Sequence, residues 1–206
     1  MTFLRRHFFQ FGVLLTGCLG PLLISALRTP ADTLHFINPR KDTQDLVAEG
    51  ASIGQVRIGE NLDDVIHDLG PPSTSDDAMG KSLCTWKGHG ASFLQVYAAR
   101  DFGHDGDRAL VREIRTNSPV FRTVAGLGVG TPLSAFTIRY GYMTAVGTYD
   151  FNGGRATVFD VPKRGVAFDL FPVHGNAHCI AVTVCIPGEN PAATYLPILP
   201  DFRPST

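Results

Sequence analysis

Val56-Arg57-Ile58-Gly59-Glu60-Asn61-Leu62-Asp63-Asp64-Val65-Ile66-His67-Asp68-Leu69-Gly70 and Leu127-Gly128-Val129-Gly130-Thr131-Pro132-Leu133-Ser134-Ala135-Phe136-Thr137-Ile138-Arg139-Tyr140-Gly141 are two versions of one motif, 71 residues apart. Both paired glycines keep that offset. Between them Leu62, Val65 and Leu69 in the first copy, and Leu133, Phe136 and Tyr140 in the second, recur at the spacing of one helical face. Thr131-Pro132 suits an N-cap followed by proline at the first helical position, and Gly70 and Gly141 suit the left-handed residue that stops a helix. Each copy therefore reads as a two-turn amphipathic helix.

Strand-like runs follow each helix. In the first copy they are Ser82 to Trp86, Ala91 to Tyr97 and Ala109 to Arg115; in the second, Ala156 to Val161, Gly165 to Phe171 and Cys179 to Ile186. Alternation of Val158 with Asp160 and of Phe168 with Leu170 marks strands with one covered face. Lys87 to Gly90 and Pro162 to Gly165 have hairpin composition. The expected fold class is α+β: two tandem units, residues 52–119 and 120–187, each a short helical element on a three- or four-stranded antiparallel meander. Residues 32–51 read as a linker with a short turn of helix at Thr43 to Ala48, and 188–206, with Pro191, Pro197, Pro200 and Pro204, as an extended tail over the surface.

The paired glycines around a short helix, then an aromatic strand, a glycine hairpin and a strand ending before proline, resemble the SmpA/OmlA-type outer-membrane assembly lipoproteins and the β-lactamase inhibitory protein fold. Val56, Gly59, Leu62, Val65, Leu69, Gly70, Pro71 and Trp86 carry the single-unit pattern; the second copy lacks a proline after Gly141. The resemblance covers residues 52 to 187. It implies two tandem units whose joined sheets form a concave protein-binding face, and it transfers no functional residue, because the matched positions are folding positions.

Residues 1–31 have the order of an export signal. Arg5-Arg6 precede an uncharged apolar run from Phe8 to Leu27, with small residues at Ser25-Ala26. The pair of arginines fits a twin-arginine signal and a general secretory signal equally. Leu15-Thr16-Gly17-Cys18 makes Cys18 a candidate lipidation site, and the run's 20 residues would also span a bilayer as a retained anchor. Every version exports the remainder, to the periplasm or to a membrane anchor facing it. Removing Arg5, Arg6 and Arg28 with the leader leaves 15 basic against 19 acidic residues, a net charge of −4. Nucleic acid is thereby excluded as an expected partner, since phosphate binding needs a clustered basic excess.

With Cys18 gone, Cys84, Cys179 and Cys185 remain. A continuous strand holds Cys179 and Cys185 about 20 Å apart at ~3.3 Å per residue, beyond disulfide reach. A bridge from Cys84 to one of them and a set of buried free thiols both stay open. His174, His178 and Cys179 place three candidate ligands, two imidazoles and a thiolate suited to zinc or copper, within six residues, but Gly175 and Asn176 mark a turn that breaks helical spacing. Asp101 to Asp107 is acidic without the register of a calcium loop, and Gly126 to Gly130 lacks the Lys-Ser/Thr ending of a phosphate loop.

No serine or cysteine nucleophile motif occurs, so no catalytic residue, metal ligand or cofactor is expected. Trp86, Phe93, Tyr97, Phe159, Phe168 and Phe171 are the candidate binding residues, as aromatic anchors if they share one sheet surface. The expected function is that of an exported, non-catalytic binding or assembly module whose partner is another protein of the bacterial envelope. A small metal-binding protein or enzyme centred on His174, His178 and Cys179 is the alternative.

Overall fold

Glycines in the left-handed region close both helices. Helix α1 (Leu62–Leu69) stops at Gly70, φ 78°, and α2 (Leu133–Tyr140) at Gly141, φ 72°. At its start α1 is capped by Asn61, whose side-chain oxygen accepts from the Asp63 amide, with Asp63 and Asp64 against the positive end of the helix dipole. Thr131 does not cap α2. Its hydroxyl oxygen instead accepts from the Gly128 amide and the Arg122 guanidinium, tying down the approach to the helix, and Pro132 takes the cap position without a side-chain bond.

The computed structural model describes residues 44–100, 108–189, 198–199 and 201–205. These all belong to one compact unit, Ile37–Thr206. The export segment with Cys18, and the acidic loop at Asp101 to Asp107, lie outside the described residues.

The strands correct the expected class. Thirteen strands accompany the two helices among the described residues, so the fold is mainly β rather than an α+β pair of helix-on-meander units. Nine strands form one antiparallel sheet. Its first half runs β4 (Thr74–Ala78), β5 (Lys81–Lys87), β6 (Phe93–Arg100) and β7 (Ala109–Thr116). The second half runs β9 (Thr144–Phe151), β10 (Gly154–Val161), β11 (Val166–Val173) and β12 (Asn176–Cys185), and β13 (Arg203–Pro204) adds to the β9 edge. The halves fuse where β7 pairs with β12, from Thr116 opposite Val182 to Glu113 opposite Cys185.

A second sheet of short strands holds β3 (Val56–Arg57), β2 (Ser52–Ile53), β1 (Leu46–Ala48) and β8 (Arg122–Thr123), with β1 and β8 parallel. Leu46–Ala48 is therefore strand, where a helical turn was expected.

Fusion follows from helix length. Eight residues at ~1.5 Å rise give about 12 Å, which covers two to three strands at ~4.8 Å spacing. Neither helix can bury a four-stranded face alone. One core instead runs under both: Leu62 and Val65 of α1, Phe136 of α2, Val47, Ile53 and Val56 of the small sheet, and Val96, Ile114, Phe168, Val182 and Val184 of the large one. Phe136 and Phe168 pack at 4.4 Å between centroids with their rings tilted by 43°, and Tyr140 lies 5.4 Å from Phe168. The Trp86 indole donates to the Gly70 carbonyl at 2.9 Å, and the Tyr140 hydroxyl donates to Glu49 at 2.6 Å, locking each helix end to the sheet system.

Candidate functional site

Period-two alternation divides the large sheet into a face under the helices and a helix-free face, and the six candidate aromatics fall on both. Trp86, Phe159 and Phe168 pack into the core under the helices. Phe93 and Tyr97 stand on the other face with Arg115 and Glu113, and Phe171 packs there in a smaller cluster with Tyr149, Ala156, Val158 and Ala167. Phe168 has no exposed surface and Tyr97 has 8%. The six do not make one aromatic surface. Sequence period shows which residues share a side, but not which side the helices cover.

Sequence reasoning missed what the helix-free face does hold: a buried polar network. Glu113 and Arg115 on β7, Asp160 on β10, Asp169 on β11 and Thr183 on β12 are all buried. Alternation with the core residues Ile114, Phe168, Leu170, Val182 and Val184 directs them to this face. Arg115 donates to an Asp169 carboxylate oxygen at 2.5 Å, and the Tyr149 hydroxyl donates to the same oxygen at 2.8 Å. The guanidinium also lies 5.3 Å from the Phe93 ring centroid and 5.9 Å from that of Tyr149.

Burial, with Asp169 beside it, pushes the Tyr149 phenol up. Glu113 is pushed up to about 8, chiefly by burial and further by Asp169 and Asp160, against the opposing pull of Arg115. Neither of its carboxyl oxygens meets a hydrogen-bond donor among the described residues. Burial likewise raises Asp160 to about 6, opposed by the Val161 amide. A signal existed in the sequence: Glu113, Arg115 and Asp169 occupy inward-alternating positions of apolar strands. Closed off from solvent, Arg115 and Asp169 neutralise each other inside the sheet.

The His174, His178 and Cys179 group is not brought together. His174 sits exposed in the β11–β12 turn at φ 47°, and His178 and Cys179, adjacent on a strand, face opposite ways. Cys179 is in the core, where its thiol donates to the Ala181 carbonyl at 3.2 Å. No group of three or more His, Cys, Asp or Glu side chains placed to hold a metal occurs among the described residues. Cys84, Cys179 and Cys185 are free and buried. Burial pushes all three thiols up, Cys185 to about 12.

Two features face solvent. One is the edge strand β4, every residue exposed, with Asp76 and Asp77 placed where charge discourages sheet-to-sheet pairing. The Ser75 hydroxyl, with Ser82, holds the Asp77 carboxyl below its ordinary range.

The other is a groove of about 720 Å³ between α2 and the β11–β12 hairpin. Pro132, Leu133, Ile138, Pro172 and Ala177 give it an apolar lining, and none of its lining residues is charged. Ile138 is 87% exposed on its rim. Since α2 must turn Phe136 into the core, Ile138, two residues on, is carried outward.

No protein-family model and no curated protein sequence matches this chain. Among solved structures, an extracellular protein containing a SCP domain from Bacillus anthracis str. Ames is similar at 12% identity and a TM-score of 0.43, over 63% of this chain and 44% of that one. The chain thus spans less than half the length of that protein. No helix among the described residues is long and apolar enough to cross a membrane.

Proposed function

We propose that the chain is an exported, non-catalytic protein-binding module of the bacterial envelope. Its leader composition supports that reading, and the α2 groove is the observation that carries it. The groove is uncharged and apolar, with Ile138 87% exposed on its rim, and so offers a concave apolar seat open to solvent. The absence of charge from the lining favours an apolar stretch of another polypeptide over an ionic ligand. The fused sheet beneath supplies a rigid frame, so binding there would need little reorganisation.

The test is a photo-crosslinking amino acid at position 138 in cells exporting the protein, with the same group at exposed Arg155 as control. A discrete heavier species from position 138 alone, abolished by Leu133→Asp in a chain that still folds, is the expected result. Crosslinks of equal pattern from both positions, or none from 138, would refute the groove as the binding surface. The intact mass of the mature protein decides whether the leader is cleaved, lipidated at Cys18 or retained.

A further inference from the structure

The nine-stranded sheet ends in two unlike edges. On one, β13 covers β9; on the other, β4 pairs with β5 alone, and all five of its residues are exposed. A two-residue turn joins β4 to β5, with Met79 and Gly80 both in the left-handed region at φ 49° and 74°. Such a turn makes Ala78 and Lys81 a hydrogen-bonded pair, so by alternation Thr74, Asp76 and Ala78 direct their backbone groups to β5. Ser75 and Asp77 turn theirs outward. Those N–H and C=O groups have no partner among the described residues.

Three further features lie along this open ladder. Asp76 stands on the helix-free side, in line with Leu83 and Tyr97, and Asp77 on the opposite side with Ser82. The Ser75 hydroxyl donates to Asp77 at 2.6 Å, whereas Asp76 makes no hydrogen bond or ion pair among the described residues. Beside Asp76 the surface is hollowed by about 280 Å³, and Ala78, Met79, Leu83 and Tyr97 form the apolar part of its lining. Met79 is 91% exposed at a turn position that favours asparagine or glycine. Neither its exposure nor its backbone conformation helps the fold, which points to a contact outside the chain.

We propose that β4 is a docking edge, separate from the α2 groove, for an extended segment of a partner protein that presents an apolar residue followed by two basic ones. The segment adds antiparallel to β4 and bonds to the outward backbone groups of Ser75 and Asp77. Opposite Ala78, its apolar side chain enters the hollow and meets Met79. Opposite Asp77 and Asp76, its two cations face the two carboxylates, one on each side of the sheet. Backbone bonds supply attachment, and the hollow and the charges supply selectivity. A second copy fits poorly, because two β4 edges paired about their centres set carboxylate against carboxylate.

The test uses the full chain and, as probe, the fluorescent peptide Thr-Thr-Leu-Lys-Lys-Thr-Thr, followed by anisotropy. It is expected to bind at least ~10-fold more tightly than the same peptide with glutamate for both lysines, since each opposite-charge pair across strands is worth up to about 5-fold. Asp76→Asn/Asp77→Asn removes that preference. N-methylation of the first lysine's amide, which faces β4, weakens binding at least ~10-fold, and N-methylation of the second, which faces away, leaves it unchanged. Met79→Asn weakens binding at least ~3-fold while raising the urea midpoint, because asparagine suits the turn.

Failure of the lysine peptide to bind at millimolar concentration, or equal binding of the lysine and glutamate peptides, would overturn the proposal. Equal effects of the two N-methylations would overturn it as well, by leaving ion pairing without an added strand. A solution dimer that buries β4 would overturn the assignment to a foreign partner. None of these measurements involves Ile138, so this edge and the α2 groove stand or fall separately.

Discussion

Replacing Glu113 by glutamine should change how stability depends on pH, by an amount that follows from its burial. The side chain has no exposed surface, and burial raises its carboxyl from an ordinary value of 4.5 to about 8. Between those two values the folded chain holds a proton that the unfolded chain has released, so stability is greatest below 4.5 and falls as pH rises. One such group costs about 1.4 kcal/mol per pH unit. Asp160, raised from 3.8 to about 6, adds a second proton over the lower part of the range.

Wild-type stability should therefore fall by roughly 3 kcal/mol per unit from pH 4.5 to 6 and by roughly half that per unit from 6 to 8, and fall again toward pH 9, where unfolded thiols ionise while buried Cys84, Cys179 and Cys185 keep their protons. In Glu113→Gln the upper leg vanishes and the profile is flat from pH 6 to 8. The summed Glu113 contribution is on the order of 5 kcal/mol, comparable to the whole stability of many domains, so the wild type should become fragile in mild alkali. Urea denaturation followed by far-ultraviolet circular dichroism at half-unit steps from pH 5 to 9 measures both profiles. Parallel profiles from pH 6 to 8, or a wild type that gains stability over that range, would refute the assignment of a buried, protonated Glu113.

Three further outcomes follow from packing. Phe136→Ala removes a fully buried ring packed against Phe168 and should cost about 3–5 kcal/mol in the same urea assay. Gly165→Ala places a Cβ 2.3 Å from the Cys185 carbonyl oxygen in a residue held at φ +62°; a loss of about 2 kcal/mol or more is expected, and an unchanged midpoint would contradict the described turn. Cys84, Cys179 and Cys185 should resist maleimide in the native protein and label fully in guanidinium, as intact mass will report; labelling of any of the three under native conditions would show that its burial is not maintained.

The helices were the legible part of this chain. Their ends rest on local requirements, a left-handed residue at Gly70 and at Gly141, and their buried residues keep helical spacing. Strands β5, β6, β7, β10, β11 and β12 also announced themselves through apolar alternation. Strand β4 did not: Thr74–Ala78 is an exposed edge, and a strand that buries nothing leaves no apolar pattern. Strand β9 was concealed by Gly147, whose purpose appears only with Phe202 above it, 55 residues later.

The class itself turned on the β7–β12 pairing, which joins segments distant in sequence and has no local signature. Aromatic residues were visible as strand residues, yet Phe168 and Phe93 look alike until the helices are placed. The buried charges escaped notice for a related reason. Arg115 and Asp169, 54 residues apart, make sense only as a pair.

That central pairing also sets an order of events for the chain as it is made. Glu113 of β7 meets Cys185 of β12, 72 residues further on, and at ~5–20 residues per second roughly 4 to 14 s separate the synthesis of the two. Through that interval the completed first half presents an open strand edge, the kind of surface on which nascent chains mispair. Closure of the sheet is consequently a late, non-local step, and one that slows folding relative to a chain built from neighbouring contacts. Wherever the chain folds, the edge of β7 stays uncovered until β12 arrives to seal it.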